Sequence, residues 1–407
     1  MGQFVGKEAL SSVGGSAGQI ISLVVGFFTG VSTGATVIIS QYFGAGKKEE
    51  IEESLHTAYA FALVGGLVLG IAGIVWFAPQ MLRWMNTPEE LIAESVLYVR
   101  VYFSGLIFIF IYNMGAAILR AVGDSKRPLY YLIVCSVVNI ILDLLLILVI
   151  PLGVLGAAIA TLIAQAVSAV LVTVTLMYRT EGMKLCLSQI RMYKRMLQSI
   201  LKIGLPAGFE AIMYSISNII VQVSINNFGV DTMAAWTAYS KIDFIFWMIN
   251  SAFGISVMTF VGQNYGAGKW DRIRRGTKIC LGMALISAVS VSIILMSAER
   301  FLFGIFVNDV GVVEIGIRMM NVIAPAYLLF AFIEVFSGAL RAQGAVVVST
   351  LITMVGICVL RMIWVTLVAA HGTLEQVIIC YPITWAAGAL AMSIYYIYKQ
   401  RKIFQAR

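Results

Sequence analysis

Gln41-Tyr42-Phe43-Gly44-Ala45-Gly46-Lys47 returns later in this chain of 407 residues as Gln263-Asn264-Tyr265-Gly266-Ala267-Gly268-Lys269. The two copies begin 222 residues apart. A second match, Leu119-Arg120-Ala121-Val122-Gly123 with Leu340-Arg341-Ala342-Gln343-Gly344, has nearly the same spacing of 221 residues. A repeat this long indicates two copies of one large unit and excludes a solenoid of small ones.

The composition indicates a membrane protein. Hydrophobic residues make up 60% of the chain and charged residues 12%, whereas soluble domains contain roughly 45–50% and about 25%. Apolar runs near or above the ~18 residues that cross a bilayer recur along the whole length. The net charge of +8 then indicates loops that face anionic lipid. No nucleic-acid partner is expected, because no basic run outside the membrane is interleaved with aromatic residues.

The apolar runs predict an all-α integral membrane protein with eleven spans. Glycine and proline residues between the runs support the boundaries. The predicted spans are residues 10–42, 55–78, 94–119, 129–150, 156–178, 200–226, 233–262, 279–298, 312–340, 346–370 and 376–398.

Basic residues predict the orientation. Alternate connections and the C-terminal tail hold 21 of the 28 Lys and Arg residues. By the positive-inside rule this set is cytoplasmic, so we expect a multi-pass protein of the cell (plasma) membrane with a cytoplasmic C-terminus. The set consists of Lys47, Lys48, Arg120, Lys126, Arg127, Arg179, Lys184, Arg191, Lys194, Arg195, Lys202, Lys269, Arg272, Arg274, Arg275, Lys278, Arg341, Lys399, Arg401, Lys402 and Arg407.

The repeat divides the predicted spans into two homologous helix bundles. Both copies of the first motif lie on cytoplasmic connections, so we expect a pseudo-two-fold axis along the membrane normal. The predicted domains are an N-lobe at 1–180, a linker at 181–199, a C-lobe at 200–398 and a basic tail at 399–407.

A weaker match joins Gly6-Lys7-Glu8 to Gly229-Val230-Asp231. A complete predicted helix at 200–226 precedes the second copy, and almost nothing precedes the first. The sequence as given therefore predicts a five-plus-six arrangement, in which the first helix of a six-plus-six design is missing.

Several segments together resemble one known family. They are Phe4-Val5-Gly6-Lys7-Glu8-Ala9-Leu10, the two Gly-Ala-Gly-Lys loops, Leu-Arg-Ala-x-Gly in each half, Asn139-Ile140-Ile141-Leu142-Asp143, Gly156-Ala157-Ala158-Ile159-Ala160-Thr161 and Gly204-Leu205-Pro206-Ala207-Gly208. The chain resembles the MATE family of multidrug and toxin extrusion transporters over essentially its whole length, and is nearer to the DinF-like and archaeal branches. The resemblance implies two six-helix lobes around a central cavity and export of organic cations in exchange for H⁺ or Na⁺.

Asp143 is the clearest candidate for ion coupling. It lies inside an apolar run, where an ionisable side chain costs at least ~2.5–3.5 kcal/mol, and Asn139 precedes it by one turn on the same face. A low-dielectric site favours the protonated carboxyl, which suits H⁺, whereas neighbouring oxygens would suit Na⁺. The resemblance implies that Asn139, Asp143 and Thr161 form a polar site whose usual partner is an aspartate on the first helix. The alternative is hydrogen bonding between helices.

Five more ionisable residues lie in or near spans of the second half. Glu210, Asp243 and Glu334 are candidates for contact with substrate or ion. Lys241 and Arg361 are candidates for structural ion pairs, since opposite charges in a bundle offset each other's desolvation cost. For Asp243, a pair with Lys241 and a place in the cavity are equally favoured.

Aromatic and methionine side chains of the second half would suit flat lipophilic cations. We interpret them instead as packing or lipid-facing surface. The residues concerned are Tyr214, Trp236, Trp247, Met213 and Met248.

No enzyme is expected. Gln41 stands where a P-loop needs its first glycine, and Lys48 where it needs Ser or Thr. His56 and His371 lie on opposite sides of the predicted membrane, so they cannot form a catalytic or zinc pair. No metal site and no cofactor other than a coupling H⁺ or Na⁺ are therefore predicted.

The sequence thus predicts a monomeric antiporter that exports lipophilic organic cations by alternating access. One alternative is a flippase for lipid-linked oligosaccharide or peptidoglycan precursors, which would need several cationic residues to meet a pyrophosphate. The embedded carboxylates outnumber the embedded cations four to two, which favours cationic substrates. The other alternative is an inactive membrane remnant.

Overall fold

The computed structural model describes residues 16–84, 89–178, 183–368 and 372–405, and every regular element in these ranges is a helix. The first α-helices are α1 (Ser16–Gly44), α2 (Lys48–Ala72), α3 (Ala78–Trp84), α4 (Glu89–Ser104), α5 (Leu106–Ala121), α6 (Lys126–Leu144) and α7 (Gly153–Tyr178). They are followed by α8 (Lys194–Asn226), α9 (Val230–Gly266), α10 (Trp270–Ser297), α11 (Glu299–Gly304), α12 (Val310–Ile323), α13 (Tyr327–Ala342), α14 (Val346–Thr353), α15 (Leu360–Ile363), α16 (Leu374–Ile378) and α17 (Cys380–Gln405).

The helices are long and apolar enough for a multi-pass membrane protein. Within the described ranges, ten helical segments could each cross a bilayer, and one bent pair raises the number to eleven if it counts as one span. The bent pair is α4 with α5, whose axes differ by 47°. The span predicted at 94–119 is therefore a pair of helices that meet at Gly105.

The repeated motifs form the same turns in both halves. Gly46 and Gly268 have φ angles of 69° and 68°, a region that glycine enters without steric cost. Their amides donate to the carbonyl three residues earlier at 3.2 and 3.1 Å. Gly123 and Gly344, in the second motif, have φ angles of 96° and 78°. The sequence repeat is thus a repeat of local structure.

The two most enclosed helices also occupy matching places. Twelve of the sixteen residues of α5 and eleven of the sixteen residues of α13 are buried. The first residues of these helices, Leu106 and Tyr327, are 221 residues apart. By contrast, α6 buries only Pro128 and Cys135. In each half, the helix that contains Leu-Arg-Ala in its last turn is therefore the central one.

Wide π-helical turns occur at four places in the described residues, and two of them lie close to charged side chains. One stretch, Leu145–Val149, directly follows α6, and another, Trp364–Val368, directly follows α15. Such turns are frequent at functional sites because the extra residue shifts the side chains around them. Asp143 and Arg361 lie two and three residues before these stretches.

The chain folds as two compact units, the first up to Gly208 and the second from Phe209. The boundary falls inside α8. The five-plus-six arrangement, the pseudo-two-fold axis and the domain limits drawn from the sequence stay predictions.

Candidate functional site

Asp243 lies on α9 with both carboxylate oxygens engaged. Trp247, one turn later, donates its indole N–H to Oδ2 at 2.6 Å, and the hydroxyl of Tyr327 donates to Oδ1. Tyr239, one turn earlier, is hydrogen-bonded to the Tyr327 hydroxyl at 3.1 Å. Lys241 is exposed and forms no ion pair with any described residue. Of the two alternatives left open for Asp243, the pair with Lys241 is therefore not observed.

A cavity of about 460 Å³ lies beside Asp243 within the second unit. This volume falls in the range of small-molecule sites, roughly 300–1,000 Å³. Asp243 is the one ionisable acid or base among the described residues that line the cavity, tyrosines aside. The wall consists of Tyr214, Asn218, Gln222, Trp236, Tyr239, Ser240, Asp243, Phe244, Trp247, Ile323, Tyr381 and Trp385.

The aromatic rings of the wall support one another. The Trp236 ring lies 5.9 Å from that of Tyr381, and the Trp247 ring meets Trp385 edge-on at 6.0 Å. Trp385 is almost completely buried. Trp236 and Trp247 thus pack against neighbouring rings, which is compatible with the sequence-based interpretation as packing surface, and they also line the cavity, whereas Met248 is exposed. The rings form a fixed aromatic wall around one carboxyl group.

Arg361 lies behind this wall and is fully buried. Its guanidinium carbon is 4.3 Å from the ring centroid of Tyr381 and 5.5 Å from that of Tyr214. Nη1 donates to the side-chain oxygen of Asn218 at 2.9 Å. The predicted ion pair is not present, because no carboxylate of the described residues lies within ion-pair distance. Two aromatic faces and an amide oxygen stabilise the cation instead.

Glu210 and Arg341 form a second polar group in the same unit. Their side chains are 13% and 18% exposed and meet at 2.6 Å. Glu334 lies two turns before Arg341 on α13, and its carboxyl group packs against Gly254 of α9. Glu210 and Glu334 do not line the aromatic cavity. The three candidate carboxylates of the second half therefore belong to two separate groups.

In the first unit, Asp143 and Asn139 lie one turn apart on α6. Asp143 Oδ1 and Asn139 Nδ2 are buried and have no hydrogen-bond partner among the described residues. Thr161 on α7 donates to the carbonyl of Ala157 in its own helix at 3.0 Å. The structure thus brings Asn139 and Asp143 to one place and gives Thr161 a local bond.

Sequence reasoning missed Tyr327, Tyr381 and Trp385, which complete the wall and the bonds to Asp243. It assigned Arg341 to a connection that it expected to be cytoplasmic and missed its partner: Arg341 lies in the last turn of α13 and binds Glu210. Position in the repeat was the one available signal: Arg341 and Arg120 occupy equivalent places in the most enclosed helices.

A comparison with known families fits this architecture. The MatE family model matches residues 1–145 and 206–367, more than half of the chain. The chain belongs to the MATE family. As a MATE protein it is a multi-pass membrane transporter by family, in agreement with its apolar helices.

Individual relatives extend the match over nearly the whole MATE chain. The probable multidrug resistance protein YoeA of Bacillus subtilis is 29% identical, with 99% of this chain and 89% of the relative covered. The multidrug export protein MepA of Staphylococcus saprophyticus is 23% identical, with 90% and 84% covered. A solved outward-facing structure of a multidrug resistance MATE transporter has a TM-score of 0.92 at 21% identity, covering 98% of this chain and 90% of that one. That likeness shows the fold.

Proposed function

We propose that this MATE protein exports lipophilic organic cations by secondary active transport, in exchange for H⁺ or Na⁺ and by alternating access. The names of the multidrug resistance and multidrug export relatives support the direction and the breadth of substrate. The distribution of its basic residues supports a plasma-membrane protein with a cytoplasmic C-terminus, and we keep the expectation that it acts as a monomer.

The observation that carries this proposal is the aromatic cavity with Asp243 on its wall. Aromatic faces attract organic cations by about 0.5–2 kcal/mol each, most strongly where water is excluded. The single carboxyl group adds a negative charge but does not restrict the site to substrates of one shape. Trp247 and Tyr327 hold that group in place, so the site is formed before a ligand arrives.

Ion coupling is assigned to the other carboxyl groups. Asp143 with Asn139 has unpartnered buried atoms, which suits a site that gains and loses a cation. We keep Thr161 as a candidate ligand on the family resemblance. Glu210 and Glu334 are candidates for a second ion site, in which Arg341 competes with the ion for Glu210.

A precursor flippase of the same superfamily is the alternative. It would need cationic side chains on the cavity wall to meet a pyrophosphate. The described residues that line the cavity include no Lys and no Arg, and Arg361 lies behind the aromatic rings. The observed wall favours an organic cation.

Substitution of Asp243 tests the proposal. We expect Asp243→Asn to weaken binding of tetraphenylphosphonium at least about tenfold, because the cavity wall loses its charge. The measurement is isothermal titration calorimetry on purified protein. Asp231→Asn is the matched control, since Asp231 is exposed on the first turn of the same helix.

If the wild-type protein and Asp243→Asn bind tetraphenylphosphonium with equal affinity, this cavity does not recognise the substrate. Transport of tetraphenylphosphonium by the purified protein would exclude the alternative of an inactive membrane remnant. Tighter binding of an undecaprenyl pyrophosphate than of tetraphenylphosphonium would favour the flippase.

A further inference from the structure

A second cavity, of about 310 Å³, lies at one end of the second unit, between the start of α10 and the end of α17. Three of its lining residues are cationic, and none of the described lining residues is acidic. The six residues that line it are Arg274, Lys278, Tyr396, Ile397, Gln400 and Arg401. None of them belongs to the aromatic cavity.

Helix geometry directs these cations to one place. Arg274 and Lys278 are four residues apart on α10, and Ile397 and Arg401 are four residues apart on α17, so each pair shares a helix face. Three positive charges thus converge on a cavity large enough for a phosphate with its substituent. Their side chains are exposed, so an anion reaches them without unfolding.

Gln400 and Lys399 connect α17 to the end of α13. Gln400 donates from Nε2 to Gln343 Oε1 at 3.0 Å, and Lys399 donates from Nζ to the Gln343 carbonyl at 3.1 Å. Gln400 is 8% exposed, and its Oε1 has no hydrogen-bond partner among the described residues. The inner wall of the cavity is therefore fixed in place by these two hydrogen bonds.

An apolar surface continues from the cavity along α17. Ile397, Ile394 and Leu390 are 51%, 59% and 65% exposed. Together with Arg401 they recur every three to four residues, so they form one face of the helix. In a bilayer this face contacts acyl chains. A free phosphate would make no use of it, whereas a phospholipid would occupy both the cations and the apolar face.

We propose that this cavity binds the headgroup of an anionic phospholipid, with the phosphate held by Arg274, Lys278 and Arg401. Basic pockets between transmembrane helices at the cytoplasmic surface are a recurrent form of phospholipid site. The orientation expected from the basic residues places these helix ends at that surface.

The test is native mass spectrometry of the purified full chain with phosphatidylglycerol. Arg274→Gln, Lys278→Gln and Arg401→Gln are combined in one variant. The control combines Arg272→Gln, Arg275→Gln and Lys402→Gln, which remove the same charge from exposed positions of the same two helices outside the cavity. We expect one lipid bound to the wild-type protein and to the control, and about 100-fold weaker binding to the cavity variant.

Three outcomes would overturn the proposal. The first is that the cavity variant binds phosphatidylglycerol as tightly as the wild-type protein does. The second is that the control variant loses the lipid to the same extent, which would mean that overall surface charge holds the lipid. The third is that excess inorganic phosphate displaces the lipid, which would mean that free phosphate is the ligand. The single variant Arg401→Gln, expected to bind about fivefold more weakly, keeps the test decisive if the triple variant does not fold.

Discussion

At the residue scale, two charges of opposite sign lie on either side of the aromatic wall. Asp243 lines the cavity and Arg361 lies behind it. The rings of Tyr214 and Tyr381 already make cation–π contacts with Arg361. The tryptophan rings are therefore the aromatic faces available to a cation in the cavity, and Arg361 limits how strongly the tyrosines attract it.

The largely buried pair of Glu210 with Arg341 gives a prediction for stability. Removing one partner of a buried pair typically costs about 3–5 kcal/mol, because the other charge stays buried alone. We therefore expect Arg341→Met to lower the unfolding temperature clearly, and Glu210→Leu added to Arg341→Met to restore part of it. Thermal unfolding in detergent, followed by tryptophan fluorescence, measures both variants.

The control for this prediction is a pair with the same separation but a different environment. Arg300 and Glu314 also meet at 2.6 Å, with side chains 73% and 45% exposed. Exposed pairs contribute about 0–1 kcal/mol, so Arg300→Met should change the unfolding temperature little. A similar change in both single variants would contradict the argument that burial determines the cost.

At the scale of elements, α9 and α13 cross where two glycines meet. A Cβ atom on Gly338 would lie 2.8 Å from the backbone oxygen of Gly254. Small residues let helix backbones approach this closely inside a membrane. The same crossing holds the Glu334 carboxyl against Gly254. The position of α13, and of Tyr327 at its start, thus depends on this contact.

Gly338→Ala should therefore destabilise the protein by about 1–3 kcal/mol, since the added methyl group overpacks the crossing. Gly282→Ala on α10 is the control, because nothing lies within 4 Å of the Cβ it would add. There the better helix propensity of alanine should stabilise by up to about 1 kcal/mol. Unfolding temperatures in the same detergent compare the two variants. If Gly338→Ala leaves the unfolding temperature unchanged, α9 and α13 can move apart at no cost in stability.

At the scale of the whole molecule, the two halves share their turns but differ in the polar and aromatic side chains that they carry. The turns at Gly46 and Gly268 have nearly the same φ angle, whereas the aromatic cavity with Asp243 lies in the second unit. In the first unit, a polar group inside a span is formed by Asp143 and Asn139, which do not occupy the repeat position equivalent to Asp243. Duplication with divergence would let one unit bind substrate and the other couple to an ion.

Proteoliposomes with separate gradients test this division of roles. With an H⁺ gradient or a Na⁺ gradient imposed alone, we expect one of them to drive tetraphenylphosphonium transport by the wild-type protein. Asp143→Asn should abolish that transport, because its side chain no longer exchanges a proton or pairs with a cation. Glu52→Gln, at an exposed position of α2, should leave transport unchanged. Full transport by Asp143→Asn would remove this residue from coupling.

The membrane fold was open to prediction from the sequence. Each span makes its backbone hydrogen bonds within itself, so length and hydropathy alone give the helices, and the motif spacing gives the repeat. The bend at Gly105 was less accessible. The predicted span at 94–119 is continuous in hydropathy, and its division into α4 and α5 depends on how those helices pack.

The sequence by itself thus determined a helical, duplicated membrane protein of the MATE family, because periodicity and motifs are local properties of the chain. Only the tertiary structure decided which polar groups meet. Glu210 and Arg341 are 131 residues apart, and Asp243 reaches Tyr327 from another helix. These side-chain contacts depend on the rotation of each helix about its axis and on the angle at which it crosses its neighbours. Side-chain packing across the bundle sets these angles, and no local pattern records them.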